Sequence, residues 1–159
     1  MLSSNRVLCR AREERTVATE ILTEAWANAW RDALNSSESY RAAAASWEGA
    51  VVVAVRAEPE RGIERRAVFL DLWHGNCRAS RAAAEPEMQA ARYVLTAHAS
   101  TWTELLGGSL EPVAAVMNGR LELAKGSVMA LLPHIAAAKE LVAAAKSLQT
   151  TFPTAWSKG

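Results

Sequence analysis

Val17, Ile21, Leu22, Ala25, Trp26, Ala29, Ala33 and Leu34 recur every three or four residues, which gathers apolar side chains on one side of a helix. One amphipathic helix is therefore expected from Arg12 to Leu34. Asn35-Ser36-Ser37 ends it, and an alanine-rich second helix is expected from Glu38 to about Trp47, closed by Gly49. The period then changes. Ala50 to Arg56 is β-branched and nearly all apolar, which suits a central strand covered on both faces. Pro59 and Gly62 mark Glu58 to Gly62 as a hairpin loop, leading to a strand from about Arg65 to His74. Val68, Leu70 and Leu72 share one side of that strand; Ala67, Phe69, Asp71 and Trp73 share the other. His74-Gly75-Asn76 reverses the chain into a third strand over Cys77 to Ala83, although its alanines would equally suit a helix. Pro86 interrupts the chain, and Tyr93 to Ala99 is the fourth strand.

From Thr101 the punctuation is dense. Thr101 and Glu104 have the spacing of a capping box, which starts a short helix at Trp102. Gly107-Gly108 stops it, Ser109 is placed to cap the next helix, and Pro112 fits that helix's first turn, where a missing N–H costs little. Leu110, Val113, Ala114 and Met117 share one face of it. Asn118-Gly119 supplies a left-handed exit. Arg120 to Lys125 then alternates, with Leu121 and Leu123 on one side and Arg120 and Glu122 on the other. Gly126 turns the chain, Ser127 is placed to cap Val128 to Leu132, and Pro133 opens a final helix through Leu148. The pattern as a whole describes one α/β domain of the α+β type over residues 1–159. It has a leading helical segment at 12–47 and two layers, a sheet of about five strands, mostly antiparallel, covered by helices.

The string TWTELLGGSLEPVAAVMNGRLELAKGSVMALLPHI resembles the C-terminal half of the sterol carrier protein family, the non-specific lipid-transfer domains. The likeness is carried by Trp102 and Leu105-Leu106 before Gly108, by Pro112 three residues before Ala115, and by Met117, Gly119, Leu121, Leu123, Lys125 and Gly126. Upstream, Phe69-Leu70-Asp71-Leu72 before Gly75 resembles the family's second strand, and Tyr93-Val94-Leu95-Thr96 resembles the strand that enters the motif. Together these cover about two thirds of the chain. The resemblance implies an apolar tunnel for acyl chains or sterols between the sheet, a motif-region helix and the C-terminal helix. On that basis the lipid-contacting residues are expected to be Phe69, Trp73, Trp102, Leu105, Val113, Val116, Met117, Leu121, Leu123, Val128, Met129, Leu132 and Ile135. Met117 and Met129 are flexible enough to repack around varied ligands, and the many alanines leave unfilled volume. A closed core would use the same residue types.

A formal net charge of +1 provides no field that would recruit nucleic acid, so no nucleic-acid partner is expected. Cys9 and Cys77 have no paired spacing and read as free thiols in a reducing compartment. No apolar run approaches the ~18–20 residues that span a bilayer, and the N-terminus has no uninterrupted secretory core, so a soluble cytoplasmic protein is expected. Arg6, Arg10, Arg12 and Arg15 resemble a transit peptide, but Glu13, Glu14 and Glu20 oppose that acid-poor class. The ending Ser157-Lys158-Gly159 lacks the final leucine of a peroxisomal signal.

Candidate chemistry is sparse. His74, His98 and His134 are far apart and form no i, i+4 metal pair; His74 and Cys77 could offer two ligands with no second pair to complete the site. There is no G-x-S-x-G elbow or phosphate-cradling loop. Asp71, between Phe69 and Trp73, is the carboxylate to inspect for a raised pKa. Arg61, Arg65 and Arg66, and separately Arg78 and Arg81, could form a basic rim, and Arg120 or Lys125 could meet an acidic head group. No catalytic residue, metal or cofactor is assigned.

The expected function is a non-catalytic carrier of a fatty acid, fatty acyl-CoA, sterol or similar lipid; transient membrane contact and a homodimer are left open. The alternative is an accessory or scaffold protein of a lipid or isoprenoid-quinone pathway that acts through protein contacts. An exposed stripe of Trp26 and Trp30 would discriminate it.

Overall fold

The computed structural model describes residues 18–157. Positions 12–17 of the expected leading helix, Val17 among them, lie outside the described residues, and so do Arg6, Arg10, Cys9 and the last two residues. Helix α1 starts at Glu24 (Glu24–Asn35), N-capped by Thr23, whose hydroxyl accepts from the Trp26 amide at 3.2 Å. Upstream, Thr19–Glu20 is extended and pairs in parallel with Thr150–Thr151, and the Ile21 amide donates to the Thr151 carbonyl at 2.9 Å. The helical periodicity therefore overshoots the start of the helix. Ile21 and Leu22 are buried as expected, but in a turn that places Leu22 at φ 57. Burial needs an inward side chain, and strand pairing with the distant C-terminal segment satisfies the backbone instead.

Helix α2 (Glu38–Ala43) is capped by the Ser37 hydroxyl and ends before Trp47. Gly49 does not close it but lies inside strand β1 (Glu48–Val55). With φ +139, a Cβ there would sit 2.7 Å from the Arg92 side chain, so the glycine is kept by close approach. Strand β2 (Arg66–Trp73) and strand β3 (Asn76–Ala82) follow as a hairpin. Pro86, expected only to interrupt, opens a further helix α3 (Glu85–Ala90), in which Glu87 reaches back to the Ala84 amide. Strand β4 (Tyr93–Ala97) comes next.

The sheet runs β3-β2-β1-β4-β5 with β5 at Glu122–Lys125, and only the β1–β4 pair is parallel. Register sets Val51 opposite Leu70 and Tyr93, and Val53 opposite Val68 and Leu95. Those residues form the inner face, which carries the main core with helices α1, α2 and the C-terminal helices. Val52, Phe69 and Val94 form the outer face, with Ala54 and Ala67. That face is covered by Met88 of α3 and Ala91 just after it, and by arginines: the Arg81 guanidinium lies 4.3 Å from the Phe69 ring centre and Arg78 lies 4.8 Å from that of Trp73. Central strand β1 is thus covered on both sides, one of them largely by side chains.

Helix α4 (Ala99–Gly107) begins two residues before the expected cap. Its first turn is closed by the His98 carbonyl, which accepts from the Thr101 amide, and Thr101 is buried within the helix. Glu104 pairs with Arg120 and leaves no capping box. Gly108 ends the helix at φ 83. Helix α5 (Pro112–Met117) is capped not by Ser109 but by the Glu111 carboxylate, which accepts from the Ala114 amide. Helix α6 (Val128–Leu131) runs through a 3-10 turn at Leu132–His134 into α7 (Ile135–Lys146). Ser127 closes the start of α6 with its backbone carbonyl; its side chain makes no capping bond. The expected α+β class, a five-stranded and mostly antiparallel sheet with helices, is the observed fold.

Candidate functional site

Between the inner sheet face and helices α4 to α7 the chain leaves a cavity of about 130 Å³. Strands contribute Val51, Val53, Leu72, Tyr93 and Leu95; α1 and α2 contribute Trp30 and Tyr40; Trp47 precedes β1. Helix α4 adds Trp102 and Leu105, and α5 adds Val113, Val116 and Met117. The wall is completed by Leu121, by Val128 of α6, by Leu132 of the following 3-10 turn and by residues of α7, including Ile135, Ala137 and Leu141. Gly126 makes this closure possible: at φ +104, a Cβ there would come 2.4 Å from Cδ1 of Tyr93. Any side chain would push the α6 turn off the Tyr93 ring.

Nine of the thirteen expected contacts line the cavity: Trp102, Leu105, Val113, Val116, Met117, Leu121, Val128, Leu132 and Ile135. Four do not. Phe69 and Trp73 share the outer side of β2, so strand alternation turns them away while Leu72 faces inward. Leu123 is half-buried against the core without reaching the wall, and Met129 is 74% exposed on α6. The local reading named no wall residue from the N-terminal half, where Trp30, Tyr40, Trp47 and the inner valines contribute, and it also missed Tyr93, Leu95 and several residues of α7. The signal was present in the alternation of β1, but nothing local says which face a cavity will open on.

The wall holds no Asp, Glu, Lys, Arg or His. The indole N–H groups are spent on the backbone: Trp30 donates to Leu141 O at 3.0 Å, Trp47 to Gly49 O at 2.8 Å and Trp102 to Ala54 O at 3.0 Å. The tryptophans therefore present hydrocarbon to the interior. Met117, Val128 and Leu132 line the cavity yet are 73%, 40% and 45% exposed, which marks its mouth. Between Gly126 and Ala138 the chain has no Asp, Glu, Lys or Arg, and His134 packs edge-on against Trp47 with ring centres 4.9 Å apart.

One compositional expectation changes here. The continuous helical run Val128–Lys146, 19 residues with mean hydropathy 1.5, is long and apolar enough to cross a membrane by length and composition. Little of it is buried. Part of its apolar surface lines the cavity and its mouth, while Ala137, Ala144 and Ala145 join the main core.

The charged candidates are engaged elsewhere. Arg120 pairs with Glu104, and its hydrogen bond holds that carboxyl below the usual range. The Lys125 ammonium donates to Gln89 O at 2.6 Å. Arg61, Arg66, Arg78 and Arg81 pair with Glu58, Glu20, Asp71 and Glu87, and Arg65 reaches Met88 Sδ at 3.1 Å. Asp71 is thus a partnered strand carboxylate. His74 pairs with Glu48, and Cys77 is a free thiol in the core that burial pushes up to about 12. No group of three or more metal-ligating side chains occurs among the described residues. Trp26 and Trp30 are buried, with ring centres 5.0 Å apart, so the exposed stripe required by the scaffold reading is not formed.

An apolar, uncharged cavity walled by a sheet on one side and helices on the other defines a lipid-binding domain. Residues 27–134 match the SCP-2 sterol transfer family, and the chain belongs to that family. Among solved structures it is similar to a crystal structure of sterol carrier protein 2, at 48% identity over 81% of this chain and 99% of that one, with a TM-score of 0.74. It is likewise similar to the solution structure of a conserved hypothetical protein, possibly sterol carrier protein, from Thermus thermophilus. The identity there is 45%, over 88% of this chain and 97% of that one, with a TM-score of 0.74. The apo form of sterol carrier protein 2 from Yarrowia lipolytica shares the fold at 19% identity, over 74% of this chain and 87% of that one, with a TM-score of 0.51. No match is found among curated proteins.

Proposed function

We propose that this protein is a non-catalytic carrier that takes the apolar part of a fatty acid, fatty acyl-CoA or sterol-like lipid into the cavity and exchanges it at a membrane surface. The observation that carries this reading is a cavity wall without one ionisable Asp, Glu, Lys, Arg or His side chain, opening at exposed Met117, Val128 and Leu132. With nothing of that kind on the wall to move a proton or hold a metal, shape and desolvation supply the affinity. A chain whose fourteen methylenes all leave water, in the cavity and its opening together, gains roughly 11 kcal/mol gross at about 0.8 kcal/mol each; association costs at least about 4 kcal/mol, so micromolar binding is the upper bound on affinity. That affinity suits uptake and release.

The cavity sets a further condition. At about 130 Å³ it is close to the ~150 Å³ apolar cavity that holds one benzene, so only part of a long chain fits behind the mouth. The remainder lies in the opening between α5 and α6, or α6 and its following turn move outward. The uncharged stretch Gly126 to Ala138, with Met129 projecting beside the mouth, suits immersion at the headgroup boundary while lipid passes.

Native mass spectrometry of the freshly purified protein is expected to show a co-purified lipid, and a fluorescent long-chain fatty acid is expected to bind at roughly micromolar concentration and be displaced by unlabelled lipid. Folded protein that carries no lipid and shows no saturable binding sinks the proposal.

A further inference from the structure

Of the hydrogen-bonding side chains on the cavity wall, the three indoles are satisfied by backbone carbonyls. The two phenols are not. Tyr40 is 1% and Tyr93 2% exposed, both line the cavity, and neither hydroxyl makes a hydrogen bond among the described residues. Their rings have packing roles that phenylalanine would fill as well: Tyr93 lies 5.2 Å from the Trp47 ring, and Tyr40 sits in the main core cluster. The buried side-chain atoms left without a hydrogen-bond partner among the described residues are Glu58 Oε2 and Arg61 Nε, so neither phenolic oxygen is sealed in the core, and both remain free to meet a ligand.

We infer that Tyr40 and Tyr93 determine ligand specificity, their hydroxyls donating to the uncharged oxygen of a lipid alcohol, ketone or ester that enters the cavity polar end first. This rests on the carrier reading and sharpens it. An ionised carboxylate is disfavoured in that place, because the wall itself carries no cation, and the Arg92 guanidinium, 5.4 Å from the Tyr93 ring centre, already donates to the Glu48 carbonyl. Carboxylate lipids therefore enter tail first and leave the charge at the mouth. Burial raises the Tyr40 hydroxyl above its ordinary range, so it remains a neutral donor at physiological pH.

The test measures displacement of a bound fluorescent fatty acid by 1-dodecanol, dodecane and dodecanoate, using the wild type, Tyr40→Phe, Tyr93→Phe and the double variant. Comparing one ligand across proteins removes differences in its solubility. In the double variant dodecanol is expected to weaken about three- to tenfold, the range of one or two neutral hydrogen bonds. Dodecane and dodecanoate should lose clearly less affinity than dodecanol, and the melting temperature should stay close to that of the wild type. Unchanged dodecanol affinity in the folded double variant overturns the inference, and so does an equal loss for all three ligands, which would report altered cavity shape. The single variants carry the same comparison if the double variant does not fold. Failure of the wild type to bind any of the three refutes the carrier reading itself, and this inference with it.

Discussion

Ala137 on α7 offers a test in which a cavity and a close-packed core give opposite signs. It is buried, lines the cavity and belongs to the main core cluster. Ala137→Leu adds three carbons. If the space of about 130 Å³ is truly unfilled, those carbons bury without displacing neighbours and contribute up to about 2.4 kcal/mol at about 0.8 kcal/mol per methylene. Lost leucine rotamer freedom offsets roughly 0.5–1 kcal/mol of this. A net gain of about 1–2 kcal/mol is expected, which for a chain of this length corresponds to a melting temperature higher by roughly 2–6 °C. The same carbons remove space from the ligand: three methylene equivalents correspond to a loss of roughly fiftyfold in lipid affinity. If the site is instead close-packed, overpacking costs about 1–3 kcal/mol and the melting temperature falls. Differential scanning calorimetry and fatty-acid titration on one preparation decide the matter. A variant that melts several degrees lower refutes the unfilled cavity, and a stabilised variant with unchanged lipid affinity shows that ligand does not occupy it.

Met117→Trp at the exposed mouth should leave the melting temperature within about 2 °C, since the side chain is not enclosed, and should weaken or slow lipid binding in stopped-flow fluorescence. Phe69→Ala should cost about 3 kcal/mol in urea denaturation because it empties the outer-face cluster, while lipid affinity of the folded variant stays within twofold; Trp73→Ala should likewise spare binding. Stability should decline from about pH 9 towards pH 12: burial keeps the Cys77 thiol protonated in the folded state up to about 12, whereas the unfolded chain releases that proton near the ordinary value. The contribution is therefore complete below about pH 8.5 and is lost above it, and urea midpoints for Cys77→Ala should show a shallower alkaline slope. Replacing His74, His98 or His134 with Gln should keep fatty-acid affinity within a few-fold, because none of them lines the cavity.

The chain's local chemistry determined a good deal by itself. Period-two alternation fixed which residues of β2 share a side, since successive side chains must point oppositely. Gly107-Gly108, Pro112, Asn118-Gly119 and Gly126 fixed most of the boundaries in the motif region, because left-handed and donor-free positions admit few residue types. All nine expected contacts that do line the wall lie in that region, where spacing and site coincide. Alternation, however, creates two apolar sides on β2 without saying which will face a cavity. The choice of Leu72 over Phe69 and Trp73 was made by α1, α2 and α7 settling on one face, while α3 and two arginines closed the other. The same assembly brought Trp30, Tyr40 and Trp47 against α6 and α7, across most of the chain's length. It also ended the N-terminal helix at Thr23, because pairing with Thr150–Thr151 satisfied the preceding backbone better than another helical turn could. These outcomes depend on contacts between segments far apart in sequence, and no local period encodes where such segments meet.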